Sequence, residues 1–232
     1  MPVFMSQMSA DARGFLYGVT FDGTDANAPL LKIVRFLPAN GELIEIARRR
    51  WKEPAPFTAT LTFAVSGGKR IVIGNPEIGF VIQVKSESGE LWQEIRKDSS
   101  LVRIRPAEIA KMRSLGPIPA IYPKYYEPYY RVFAAEGGII LAEIHDKVVA
   151  DGMALLSVFD ESGRYAGDAA IKRSLDYCWA NGNLYSIEDD AEGLPCLSVS
   201  AVRWRLPSRP LEEENRRSQQ SAGMTTRKKQ PT

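Results

Sequence analysis

Three times in this chain an apolar run leads into a short polar loop closed by glycine and returns as a second run. Ile33-Val34-Arg35-Phe36-Leu37-Pro38-Ala39-Asn40-Gly41 leads into Glu42-Leu43-Ile44. Ile82-Gln83-Val84-Lys85-Ser86-Glu87-Ser88-Gly89 leads into Glu90-Leu91-Trp92, and Val158-Phe159-Asp160-Glu161-Ser162-Gly163 leads into a run from Arg164. Each reads as two antiparallel strands joined by a tight turn, because the loop is short and ends on the residue that best tolerates positive φ.

The closing glycines lie 48 and 74 positions apart. The longer interval contains a segment of another kind, residues 99–128, which is 30 long; without it the interval is 44. A period in the forties with four strands per unit is the signature of a β-propeller. A second set of turns fits the same units: Gly14 stands before Phe15-Leu16-Tyr17, Gly67-Gly68 before Ile71-Val72-Ile73, Gly137-Gly138 before Ile139-Ile140-Leu141, and Gly182 before Leu184-Tyr185. The second strand of each unit is apolar on both faces, as a sheet sandwiched between neighbours requires. Residues 58–98 and 129–172 read as complete units, residues 14–50 lack a first strand, and residues 174–206 end at Trp204-Arg205-Leu206 without a fourth. The expectation is an all-β chain of fourteen strands in about three and a half propeller blades, with one short helical insertion. Residues 1–13 are a lead-in, 14–206 the blades and 207–232 a polar tail with almost nothing apolar to bury, expected to be disordered.

Within the insertion, Pro106 suits a first helical turn, Ile109, Met112 and Leu115 recur at three-residue spacing, and Gly116-Pro117 stops the helix. An amphipathic helix lying across the blades is expected. Behind it, Tyr122 to Arg131 holds five of the nine tyrosines.

Bulk features narrow the function classes. No run of 18 apolar residues offers a membrane span, and Met1–Arg13 lacks the basic and apolar regions of a secretory signal. The net charge is +2, and the tail contributes +3 of it, so the body carries no basic surface for nucleic acid. Arg227-Lys228-Lys229 is too short to change that. His145 is the only histidine, which excludes multi-histidine metal centres. Cys178 and Cys196 fall on the first and third strands of one sheet, two inter-strand spacings apart, beyond the reach of a disulfide. Buried free thiols are expected, and the compartment stays open.

Two segments carry a family resemblance. Val158-Phe159-Asp160-Glu161-Ser162-Gly163-Arg164-Tyr165-Ala166-Gly167, followed by Gly182 to Gly193 and the closing Arg203-Trp204-Arg205-Leu206, resembles the end of bacterial six-bladed propeller proteins of the NHL-like kind. The resemblance covers residues 14–206. It implies a ring of six units, of which this chain would be the C-terminal blades, and an exported protein. It implies no particular activity. Some related propellers are gluconolactonase-like hydrolases with a divalent metal at the ring centre.

Candidate site residues follow from position. Tyr125, Tyr126 and Tyr129 offer aromatic faces to a ligand, or else pack the helix onto the blade edge. Apart from hydroxyls, the innermost strands offer only Arg131 and Asp176, either as an anion-binding pair lining the channel or as an ion pair between adjacent blades. Metal chemistry needs several converging oxygens, and no such cluster is legible, so neither metal nor cofactor is expected. His145, beside Asp146 and Lys147, reads as a solvated loop residue, and the acidic groups at Asp160-Glu161 and Glu188-Asp189-Asp190 as polar loops. The reading is a non-catalytic binding or scaffold module for an unidentified ligand, its open ends covered by self-association or by a partner that completes the ring. The alternative is a metal-dependent lactonase with ligands from outside this chain.

Overall fold

The computed structural model describes residues 5–25, 27–50, 61–67, 69–114, 123–145, 152–174, 176–190 and 192–204. They form four antiparallel sheets in chain order, a propeller-like arrangement of four blades. The first comprises β1 (Met5–Ala10), β2 (Leu16–Asp22), β3 (Leu30–Leu37) and β4 (Glu42–Arg50). The second comprises β5 (Thr62–Ser66), β6 (Arg70–Gly74), β7 (Val81–Ser86) and β8 (Leu91–Arg96). The third holds β9 (Arg131–Ala134), β10 (Ile140–Ile144), β11 (Met153–Phe159) and β12 (Tyr165–Lys172). The fourth has only β13 (Tyr177–Ala180), β14 (Asn183–Asp189) and β15 (Pro195–Ala201). The helix α1 (Pro106–Arg113) begins at the expected proline. No helix among the described residues is long and apolar enough to cross a membrane.

The repeated turns are built as the glycines demand. Gly41, Gly89 and Gly163 have φ of 72°, 87° and 74°, and each N–H closes its loop on the carbonyl of Leu37, Ser86 or Asp160. A fourth copy stands in the last sheet, where Gly193 closes on Asp190. Side chains reinforce the loops: Asp160 Oδ1 accepts from the N–H groups of Ser162 and Arg164, both at 3.0 Å, and Asp190 Oδ1 accepts from Glu192 and Leu194. Partial burial works against ionisation of Asp160, but its Ser162 and Arg164 donors hold the carboxyl below its usual range. A Cβ at position 163 would lie 2.4 Å from Gln93 Nε2 and 2.8 Å from Ile95 Cγ1, in addition to the strained φ. Gly163→Val is therefore expected to destabilise by more than about 1 kcal/mol. An unchanged urea midpoint would show that this turn is not the device described.

Two apolar layers hold the blades together. Tyr17, Val19, Ile33 and Ile46 of the first sheet pack against Leu61, Ile71 and Ile73. Val72, Phe80, Ile82, Val84 and Ile95 of the second pack against Tyr129, Val132, Ile140, Ala142 and Phe159. Gly74 is required here because a Cβ would come within 2.7 Å of the Tyr129 ring and 2.8 Å of Thr62. Between the third and fourth sheets the layer is aromatic, with Phe133 against Tyr177 and Trp179 at 5.5 and 5.1 Å between ring centroids.

Four expectations are corrected. The first blade does have a first strand: β1 pairs with β2, in a register that shifts between Ser6 and Ser9, making fifteen strands among the described residues rather than the fourteen expected. The last strand ends at Ala201, so Trp204 lies beyond it. Cys178 and Cys196, on the two strands beside β14, are free thiols, but they are exposed rather than buried; among the described residues their sheet has no fourth strand. His145 is not a solvated loop residue but half-buried between two tyrosine rings. The expected helix stop at Gly116-Pro117 lies outside the described residues, as do Tyr122, Asp146-Lys147, the Arg205-Leu206 strand end and the 207–232 tail.

Candidate binding cleft

The first strands of the four sheets, β1, β5, β9 and β13, line a cleft of 1380 Å³. Among its wall residues are Arg70, Tyr130, Arg131, Glu136, Asp176 and Trp179. Inner strands bring these side chains together because each sheet stacks its apolar second and third strands against its neighbour and leaves the first strand facing the axis.

The most tightly built part of this wall is on the third sheet. Arg131 of β9 stands directly opposite Glu143 of β10 in the antiparallel register. Glu143 is 0% exposed, and burying a lone carboxylate there would be strongly unfavourable. Its oxygens are met in full: Arg131 donates from Nε at 2.8 Å and pairs through Nη2 at 2.7 Å, and the Tyr130 hydroxyl donates to the other oxygen. Burial, reinforced by that donation to an anion, pushes the Tyr130 phenol above its usual range. The guanidinium lies 5.3–5.8 Å from the ring centroids of Tyr130, Phe133 and Tyr177, and Arg131 Nη2 reaches the Ser174 carbonyl at 3.4 Å. Arg131 thus ties the third sheet to the fourth.

Asp176 lies at the mouth of β13, exposed to the cleft. Its Oδ1 accepts from the Tyr177 N–H at 2.8 Å. The two cleft residues expected from sequence are therefore on one wall, but the carboxylate paired with Arg131 is Glu143 and not Asp176. Strand register decides this: Glu143 is opposite Arg131 in the same sheet, whereas Asp176 belongs to the next.

The tyrosine run is dispersed. Tyr129 is 0% exposed in the core, its hydroxyl donating to the Val81 carbonyl, which leaves it no surface for a ligand. Tyr125 is 44% exposed and bridges to Arg103, outside the cleft lining. Tyr126 joins the insertion to the blade. Its ring stacks on His145 at 3.9 Å and 16°, and its hydroxyl donates to Glu108 of α1. Burial first, then this bond to a carboxylate, takes the Tyr126 phenol up to about 12. The Arg105 guanidinium, acting against partial burial and aided by the Arg105 N–H and the Tyr126 hydroxyl, holds Glu108 at about 2. Of the described tyrosines in this run only Tyr130, which sequence reasoning passed over, reaches the cleft.

His145 packs between Tyr126 and Tyr130, the second ring centroid at 4.7 Å. Burial, with the Arg173 charge added and Glu108 opposing, brings its imidazole down to about 4. Glu143 also escaped selection. The signal available was an acidic residue inside the otherwise apolar run Ile139-Ile140-Leu141-Ala142-Glu143-Ile144. Among the described residues no group of three or more His, Cys, Asp or Glu side chains converges as metal ligands would.

No family model matches the sequence, and no curated protein matches it significantly. Among solved structures the chain is similar to KlHsv2 with its loop 6CD replaced by a Gly-Ser linker, at 11% identity and a TM-score of 0.37, covering 80% of this chain and 45% of that one. It is similar to a member of the DUF4221 family from Bacteroides vulgatus, at 12% identity and a TM-score of 0.42, covering 80% and 64%. A third similar structure is a putative 6-phosphogluconolactonase from Bacteroides uniformis, at 13% identity and a TM-score of 0.35, covering 84% and 67%. The chain thus spans between about half and two thirds of the length of these proteins. The propeller-like arrangement stands on the four sheets themselves.

Proposed function

We propose that this chain is a non-catalytic binding module of an NHL-like six-bladed propeller, that it takes a small ligand in the cleft between its first strands, and that its open end is covered by a second copy or a partner. The observation that carries the ligand reading is the composition of one wall. Asp176 offers an exposed carboxylate on the same cleft wall as the half-buried Trp179, at the start of a strand anchored through Arg131 and Tyr177 to the sheet behind it. An aromatic residue and a carboxylate acceptor on one wall suit a ligand that stacks and donates hydrogen bonds. Of the other polar groups named on the wall, Glu136 accepts from the Gly182 N–H, and Tyr130 and Arg131 serve Glu143. The covered-end reading rests on the far face of the fourth sheet, where Ile187, Leu197 and Val199 are 40%, 67% and 54% exposed.

The test is a thermal-shift screen of the purified chain against neutral sugars, sugar acids, nucleotides and polyamines, followed by calorimetric titration of any hit. Asp176→Ala is expected to weaken binding at least tenfold, about 1.4 kcal/mol, without changing the melting temperature of the free protein. A stoichiometric calcium or zinc ion in the purified chain, together with hydrolysis of a gluconolactone, would overturn this reading in favour of a metal-dependent lactonase.

A further inference from the structure

The outer strands of the first three sheets are guarded by charge. β4 carries Glu42, Glu45, Arg48, Arg49 and Arg50, β8 carries Glu94 and Arg96, and β12 carries Asp168 and Lys172. Such charges keep an edge strand from pairing with another chain. β15 is the outer strand of the fourth sheet, stands third where the other sheets have a fourth, and is Pro-Cys-Leu-Ser-Val-Ser-Ala, with no charge at all. Among the described residues no strand pairs with its outer edge, and that edge can be assigned atom by atom. Val202 N–H donates to Gly182 O at 2.8 Å and Leu194 O accepts from Asp190 N–H at 2.9 Å. In an antiparallel ladder this alternation continues, so Cys196, Ser198 and Ser200 bond inward to β14. Leu197, Val199 and Ala201 turn their N–H and C=O groups outward.

The order of side chains along that edge is nearly the same in both directions about Ser198. Leu197 and Val199 flank it, then Cys196 and Ser200, then Pro195 and Ala201. We propose that β15 pairs antiparallel with β15 of a second copy, about a two-fold axis through Ser198, merging two three-stranded sheets into one of six. This rests on the reading above that the open end is covered, and names the partner and the register. In that register Leu197 of each copy faces Val199 of the other, an aliphatic pair of the kind that stabilises antiparallel sheets. The outward N–H and C=O groups of both find partners, and no like charges meet. Pro195, which has no N–H, falls at the end of the ladder, where it interrupts nothing. A two-fold contact of one surface with itself closes on a dimer and does not propagate.

The register is tested by cross-linking. Ser200→Cys, in a Cys178→Ser background, puts a thiol opposite the native Cys196 of the second copy in a non-hydrogen-bonded pair. The Cα atoms of such a pair are about 4.5 Å apart, within disulfide range. Mild oxidation is expected to convert most of this variant to a covalent dimer, and adding Cys196→Ser is expected to abolish it. Sedimentation of the unmodified chain should show a dimer at micromolar concentration. Val199→Lys, at an exposed position, should weaken association at least tenfold while keeping the far-UV circular dichroism of the wild type. A dimer that survives Val199→Lys and does not cross-link would overturn the β15 pairing and leave the covered end standing. A chain that stays monomeric throughout would overturn both, with the Asp176 ligand test unaffected.

Discussion

Arg131→Met is expected to destabilise the chain by about 3–5 kcal/mol, the cost of leaving one half of a buried ion pair behind. Glu143 has no exposed surface, and two of its three side-chain bonds come from Arg131, through Nε and Nη2. Methionine fills much of the same space among Tyr130, Phe133 and Tyr177, so the loss is mainly electrostatic. The Tyr130 hydroxyl would remain as a donor, but one neutral donor does not replace a guanidinium. The double variant Arg131→Met/Glu143→Leu separates the two effects. Removing both charges restores an apolar contact, and the double variant should recover most of the loss. Urea denaturation of wild type, single and double variants gives the three free energies. A double variant as unstable as Arg131→Met alone would show that packing around the guanidinium, and not the desolvated charge, is what the single substitution removes.

A loss of stability between pH 6.5 and 4.5 is the second expected result, and it comes from His145. Its imidazole is held near 4 in the folded chain, against 6.5 as the ordinary value. The folded state therefore favours the neutral ring. Stability from this group is complete above the unfolded pKa of 6.5 and falls as the pH drops toward the folded value, because the unfolded chain takes up a proton that the folded chain refuses. The full shift corresponds to about 3 kcal/mol, of which about 2 kcal/mol is lost by pH 5. The carboxylates that titrate low in the folded chain act in a lower window. Glu108 is the clearest, at about 2 against 4.5, so its contribution is lost only as the pH falls below 4.5. His145→Phe keeps an aromatic ring between Tyr126 and Tyr130 and removes the titration. Urea unfolding at pH 7, 6 and 5 should show the wild type weakening and the variant nearly flat. Parallel curves for the two proteins would mean that His145 is hydrated in solution.

The features that could be read in advance are those whose cause is local. The residues at 41, 89 and 163 sit at φ near +70 to +90°, a requirement each loop imposes on its own residue, and the turns stand where the glycines put them. The apolar second strands and the helix start at Pro106 are local in the same sense. What was missed depends on partners distant in the chain. β1 reads Met-Ser-Gln-Met-Ser-Ala, with no alternation to mark it, and it is a strand because β2 offers it an edge. The thiols are exposed on a sheet with no fourth strand among the described residues.

The candidate site divides along the same line. That Arg131 and Asp176 line the cleft was legible from their place on a first strand and just before one, since strand order within a repeated unit decides which strand is innermost. Their chemistry was not. Glu143 takes Arg131 because antiparallel register sets those two residues opposite each other, and a charged group in a closed interior pairs with whatever counter-charge lies within reach. Neighbouring tyrosines of one run go to a solvent-facing bridge, a stack on His145, the core and the cleft wall, because an extended chain presents successive side chains to different surroundings. The sequence alone determined the repeated unit and its turns, which are properties of a few consecutive residues. Only the tertiary structure decided the cleft and its partners, because they exist where four first strands converge and the chain's order says nothing of which side chains meet.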